Sequence, residues 1–86
     1  MPKFFAEITD TFGGEANYCW VHRFIIEASS MRGAVWKLTR ETGMSFRMDY
    51  NTGDLRRYNV PRAAICMFVE WTDDNIVDQY PDMKRI

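Results

Sequence analysis

The sequence predicts an α+β fold, a mostly antiparallel four- to five-stranded sheet with one main helix on one face, in the order β-β-α-β-β-β. Three observations predict it. Runs that alternate apolar and polar residues recur on both sides of one stretch whose apolar residues fall at helical spacing. Gly-, Asn- and Asp-rich punctuation separates the runs at hairpin distances. The 86 residues contain no internal repeat, low-complexity tract or linker, so residues 1–86 are expected to form a single domain.

Residues 3–9 alternate Phe4, Ala6 and Ile8 against Glu7 and Thr9, the pattern of a half-buried strand. Gly13-Gly14 marks a turn. Residues 18–27, rich in aromatic and β-branched side chains, form the second strand, paired antiparallel with the first through this short connection. Ser29 or Ser30 can cap a helix. Met31, Ala34, Val35 and Leu38 then repeat as one apolar helical stripe, and Gly43 supplies a left-handed stop.

Residues 45–50 alternate Phe46, Met48 and Tyr50 against Arg47 and Asp49. Asn51-Thr52-Gly53-Asp54 reads as a hairpin loop, and Leu55 to Val60 returns as a strand that Pro61 ends or places at an edge. Residues 63–71 are the most apolar run and are expected to lie centrally. Residues 73–80 read as a short helix or turn, and residues 73–86 as a loosely packed C-terminal segment.

Composition narrows the functional classes. A chain this short hides only about 60–65% of its unfolded surface. Its 47% hydrophobic and 15% aromatic content therefore serves dense packing and excludes an intrinsically disordered chain. No apolar segment is long enough for a signal peptide or a membrane span, so a cytoplasmic location is expected, with no membrane partner. Cys19 and Cys66 sit in apolar runs and read as small buried hydrophobes, with a cross-strand disulfide left open. With His22 the sole histidine, the four ligands of a structural zinc are lacking, and no metal or other cofactor is expected.

Catalytic constellations are equally thin. His22 falls inside a strand, Ser29, Ser30 and Ser45 have no base nearby in sequence, and Glu7, Glu27 and Glu70 are scattered strand positions. Gly53 falls at the fifth position of a loop opened by Asp49, not the sixth, and Val60 stands at the twelfth, which argues against a calcium loop. Gly13-Gly14 lacks the lysine of a phosphate loop. No catalytic residue is assigned, and a non-enzymatic role is expected.

Polar chemistry concentrates instead in the middle of the chain. Residues 23–62 are net basic while both ends are net acidic. The hairpin carries Arg47, Arg56, Arg57 and Arg62 with Tyr50 and Tyr58 interleaved. The helix adds Arg32, Trp36 and Arg40 on the side away from its apolar stripe, where guanidinium groups can sandwich the indole. These nine residues are the candidate partner-binding set.

Arginines with aromatics suit single-stranded nucleic acid. A pI of 5.7 does not, since dedicated binders usually exceed about 9. The last strand is apolar on both sides, so one helix leaves a face to be covered by the C-terminal segment, a second copy of the chain, or another protein. The expected role is a protein–protein interaction module, with nucleic-acid binding as the alternative.

The segment from Phe5 to Gly14, together with Tyr18 to Phe24 and Phe46-Arg-Met-Asp-Tyr50, resembles small proteins encoded by bacteriophages and prophages. The resemblance covers most of the chain without a diagnostic motif. It implies binding and modulation or inhibition of a host protein, and it assigns no site residue.

Overall fold

The computed structural model describes residues 2–10 and 21–86, which form an α+β arrangement. In chain order the elements are β1 (Lys3–Asp10), β2 (Val21–Glu27), α1 (Met31–Thr42), β3 (Arg47–Asn51), β4 (Leu55–Asn59), β5 (Ile65–Thr72), α2 (Ile76–Gln79) and β6 (Lys84–Arg85). The strands build one mixed sheet in the order β3-β4-β5-β1-β2-β6. All pairings are antiparallel except that of β6 on β2. The sheet thus has six strands rather than four or five. The extra one comes from the C-terminal segment expected to pack loosely.

Two connections cross the sheet. Counting strand directions makes β2 parallel to β3 and β5 parallel to β6, so β2–α1–β3 and β5–α2–β6 are both crossovers between parallel strands. They run in opposite directions across the sheet. Crossovers of one hand that run in opposite directions must lie on opposite faces. The chain follows this rule: α1 packs on the face of Phe4, while Tyr80, at the end of α2, stacks on Phe5 of the other face.

Local chemistry fixes the helix. The Ser30 hydroxyl accepts a hydrogen bond from the Gly33 amide at 3.1 Å, which satisfies one open donor of the first turn. Gly43 closes the other end at φ 72°, its amide donating to the Thr39 carbonyl. Met31, Ala34 and Leu38 are buried against Phe4, Ile8, Phe24, Ile26, Met67 and Val69. Full burial of a Leu, Ile or Phe side chain contributes about 1.5–3 kcal/mol, so this layer supplies most of the hydrophobic stabilisation.

The opposite face has its own cover. Phe5, Ile25 and Cys66 are buried there, as is Thr9. Tyr80 lies over Phe5, and the Arg23 guanidinium lies over Tyr80 at 4.2 Å while pairing with Glu7. Beyond Tyr80 the chain reaches the β2 edge, where Ile86 exchanges backbone hydrogen bonds with Ile25 and Glu27. Lys84 pairs with Glu41 of α1. The C-terminal segment therefore covers part of the second face, one of the three covers the sequence left open.

The readings of Gly13-Gly14, Tyr18, Cys19 and Trp20 lie outside the described residues. No helix among the described residues is long and apolar enough to cross a membrane.

Candidate functional site

Pairing across strands sorts the hairpin's side chains by face. Arg56 opposes Val69 and Tyr58 opposes Met67, so both belong to the face that carries α1. Arg57 opposes Phe68 and belongs to the other. Tyr58 is only 5% exposed and sits in the core. It is a packing residue, not part of an outer binding surface. Its neighbours Arg56 and Arg57 made the strand look polar, and the burial comes from its partner Met67.

A bulge changes the face of Tyr50. Strict alternation would set Tyr50 beside Met48. Between these residues the β3–β4 register shifts, so that Asp49 and Tyr50 together oppose Arg57. One extra residue sends every later side chain to the other face. Met48 stays on the helix side, and Tyr50 joins Arg57. The bulge also delivers the Asp49 carboxylate to Arg57, which donates to it at 2.6 Å.

Arg57 lies over the Phe68 ring at 5.6 Å. Burial works against its charge. The hydrogen bonds to Asp49 and Cys66 outweigh that effect and raise its pKa above the usual arginine value.

The remaining arginines of the hairpin are dispersed. Arg47 is exposed at the start of β3, opposite Asn59. Arg62 stands exposed on the β4–β5 turn, outside both strands, at φ 65° in the left-handed region. Arg47, Tyr50 and Arg57 thus share one face, Arg56 and Tyr58 the other, and Arg62 neither. The continuous arginine–tyrosine platform that stacked bases would need is not formed.

The helix-bearing face brings a different set together. Lys37 reaches the Glu27 carbonyl and Glu41 pairs with Lys84, so that flank of α1 points towards β2 and β6. Val35 and Thr39 fall on the opposite flank, while Arg32, Trp36 and Arg40 are exposed on the side of α1 away from its buried stripe. A shallow hollow of about 450 Å³ is lined by Arg32, Val35, Trp36 and Thr39. Trp36 is 60% exposed, with the Arg40 guanidinium 4.9 Å from its ring. Arg40 alone makes that contact among the described residues, so the expected sandwich with Arg32 is half built.

The sheet face that carries α1 also bears Trp71, 50% exposed and packed on Phe4 at 4.5 Å, and Met48, 47% exposed on the edge strand. Trp71 and Met48 were not in the candidate set. Their signal was present in the alternation of β5 and β3, which places each on the face of the helix.

Charge is sorted as well. Of the strand carboxylates whose side chains are described, Glu7, Glu27, Asp49 and Glu70 fall on the face without α1. Among the described side chains of α1 and the strand face beneath it, Glu41 is the one carboxylate, and Lys84 holds it. Among the described residues Arg32, Arg40 and Arg56 form no ion pair.

On the other face a cleft of about 240 Å³ is lined by Phe5, Glu7, Leu55, Phe68 and Glu70. Among the described residues no cluster of side chains is arranged to hold a metal ion. No protein family, curated protein or solved structure matches the chain, so its functional reading rests on this geometry.

Proposed function

We propose that the chain is a non-enzymatic protein–protein interaction module that binds its partner through the helix-bearing face. One observation carries the reading. Trp36, Trp71 and Met48, three of the large side chains left exposed, lie on the side of the sheet that also carries Arg32, Arg40 and Arg56. Tryptophan and arginine are the side chains most enriched at binding hot spots. Exposing an indole to water without a partner forgoes the burial that makes it useful in so small a core.

The resemblance to phage proteins extends this to an inhibitor or modulator of a host protein. A second copy of the chain is the other protein that could fill the face. Nucleic acid is the weaker reading, because the hairpin arginines and tyrosines are divided between faces.

The experiment is a capture comparison. The full chain, a Trp36→Ala variant and a Glu70→Lys variant are used as baits in host lysate, and bound proteins are identified by mass spectrometry and then tested in purified form. A partner held by the full chain and by Glu70→Lys but lost with Trp36→Ala supports the proposal. Equal capture by all three baits rejects the face, and ultracentrifugation of the purified chain reports self-association.

A further inference from the structure

Resting on the protein-binding reading above, we infer that the partner docks through an acidic amphipathic segment, with one of its carboxylates received by Arg56. The first argument is a contrast between neighbours on β4. Arg56 and Arg57 are both half-buried and point to opposite faces. Arg57 has an internal carboxylate, Asp49, delivered by the bulge. The Nε of each is a buried donor without a hydrogen-bond partner, but Asp49 holds the Arg57 guanidinium through Nη1, whereas among the described residues Arg56 has no ion pair at all. Buried donors are nearly always satisfied, and a lone one marks a group awaiting a ligand or water. The acceptor that best satisfies a guanidinium is a carboxylate, which can take two of its donors at once.

The second argument is charge complementarity. Arg32 and Arg40 are exposed on α1, on the same side of the sheet as Arg56, and no described carboxylate of the strand face opposes them. An acidic segment meets favourable potential on this side, and a basic one is repelled. The third argument is the apolar component. Trp36, Trp71 and Met48 are exposed on the same side of the sheet as these cations, so the occupant must carry apolar side chains as well. A nucleic acid offers phosphates in an unbroken line and suits a continuous cationic track. Here the cations are few, and the whole chain is net −1. An acidic peptide segment with apolar side chains on one face meets all three demands.

The test uses the full chain, isotope-labelled for NMR, and three probes. Two are synthetic peptides with one apolar pattern, one bearing Glu and the other Lys at every polar position. The third is a single-stranded DNA oligonucleotide of similar length. The Glu peptide is expected to shift the Trp36 and Trp71 indole signals and the Arg56 Nε–H signal. Arg56→Gln should weaken that binding about tenfold, as loss of a charge-assisted hydrogen bond does.

Arg32→Gln, on the exposed helix surface, is a second variant that does not disturb the sheet, and it should weaken binding several-fold. Equal or tighter binding of the Lys peptide on the same signals overturns the acidic assignment and leaves the protein-binding reading standing. Preference for the oligonucleotide, or no response of these signals to either peptide, overturns both. Glu-peptide binding that ignores both substitutions overturns the role of the arginines.

Discussion

Tyr80 stacks on Phe5, with ring centroids 5.4 Å apart and planes 11° from parallel. This contact joins the C-terminal segment to the centre of the sheet, on the face that α1 leaves open. Aromatic pairs of this geometry contribute about 0.5–1.5 kcal/mol beyond the area they bury. Tyr80 also carries the Arg23 guanidinium on its outer side. We expect Tyr80→Ala to lower stability by about 2 kcal/mol and Tyr80→Phe to change it by less than about 0.5 kcal/mol. Urea denaturation followed by tryptophan fluorescence measures both. Equal losses in the two variants would show that the hydroxyl, not the stacked ring, holds the segment.

The ends of α1 should be separable in the same assay. Ser30→Ala removes the hydroxyl that accepts from Gly33 and is expected to cost about 1 kcal/mol, while Ser30→Asp restores a cap. Gly43→Ala forces a Cβ into a left-handed backbone and should cost about 1 kcal/mol, though open space surrounds the site. A Gly43→Ala variant as stable as the original chain would place the helix stop elsewhere.

These caps were legible in the sequence because they are local: a serine before the apolar stripe and a glycine after it act through their own turn. Strands β1 and β5 were legible for the same reason, since alternation is written residue by residue. What escaped was set by distant pairing. Tyr58 looks exposed beside two arginines until Met67 is placed opposite it. Tyr50 changes face through a bulge whose benefit, the Asp49–Arg57 contact, exists only once β4 is in place.

Strand β6 consists of Lys84 and Arg85, residues with no strand signature, recruited by the backbone of β2. In the candidate set, the helix residues kept their predicted surface. The hairpin residues were divided, because two adjacent strand residues cannot share a face.

Trp36 and Leu38 offer a direct separation of binding from folding. They are two positions apart on α1, one exposed and one fully buried. Leu38→Ala leaves a cavity and is expected to cost about 2–5 kcal/mol. Trp36→Ala loses a surface contact with Arg40 and should change stability by about 0.5 kcal/mol or less while abolishing partner capture. Thermal unfolding by circular dichroism, run beside the capture experiment, gives both quantities. A large loss of stability in Trp36→Ala would mean that the indole is a structural element of the fold.

Arg56 and Arg57 should respond unequally to one substitution. Methionine keeps the length and apolar stem of arginine while removing its donors and charge. At Arg57 it abolishes the bond to Asp49 and the stacking on Phe68. Asp49 is partly exposed, so the pair is screened, and the combined loss is expected to be about 1–2 kcal/mol. At either position it removes a buried Nε that has no partner, and leaving such a donor unsatisfied costs about 1–3 kcal/mol, but at Arg56 no ion pair or ring contact among the described residues is lost with it. Arg56→Met should therefore hold or raise the urea midpoint while weakening partner binding. A residue kept at some expense to stability, and released from that expense when replaced, is the signature of selection for function rather than for folding. Should both variants lose stability alike, Arg56 has an internal role, and the docking surface would lose its carboxylate receptor.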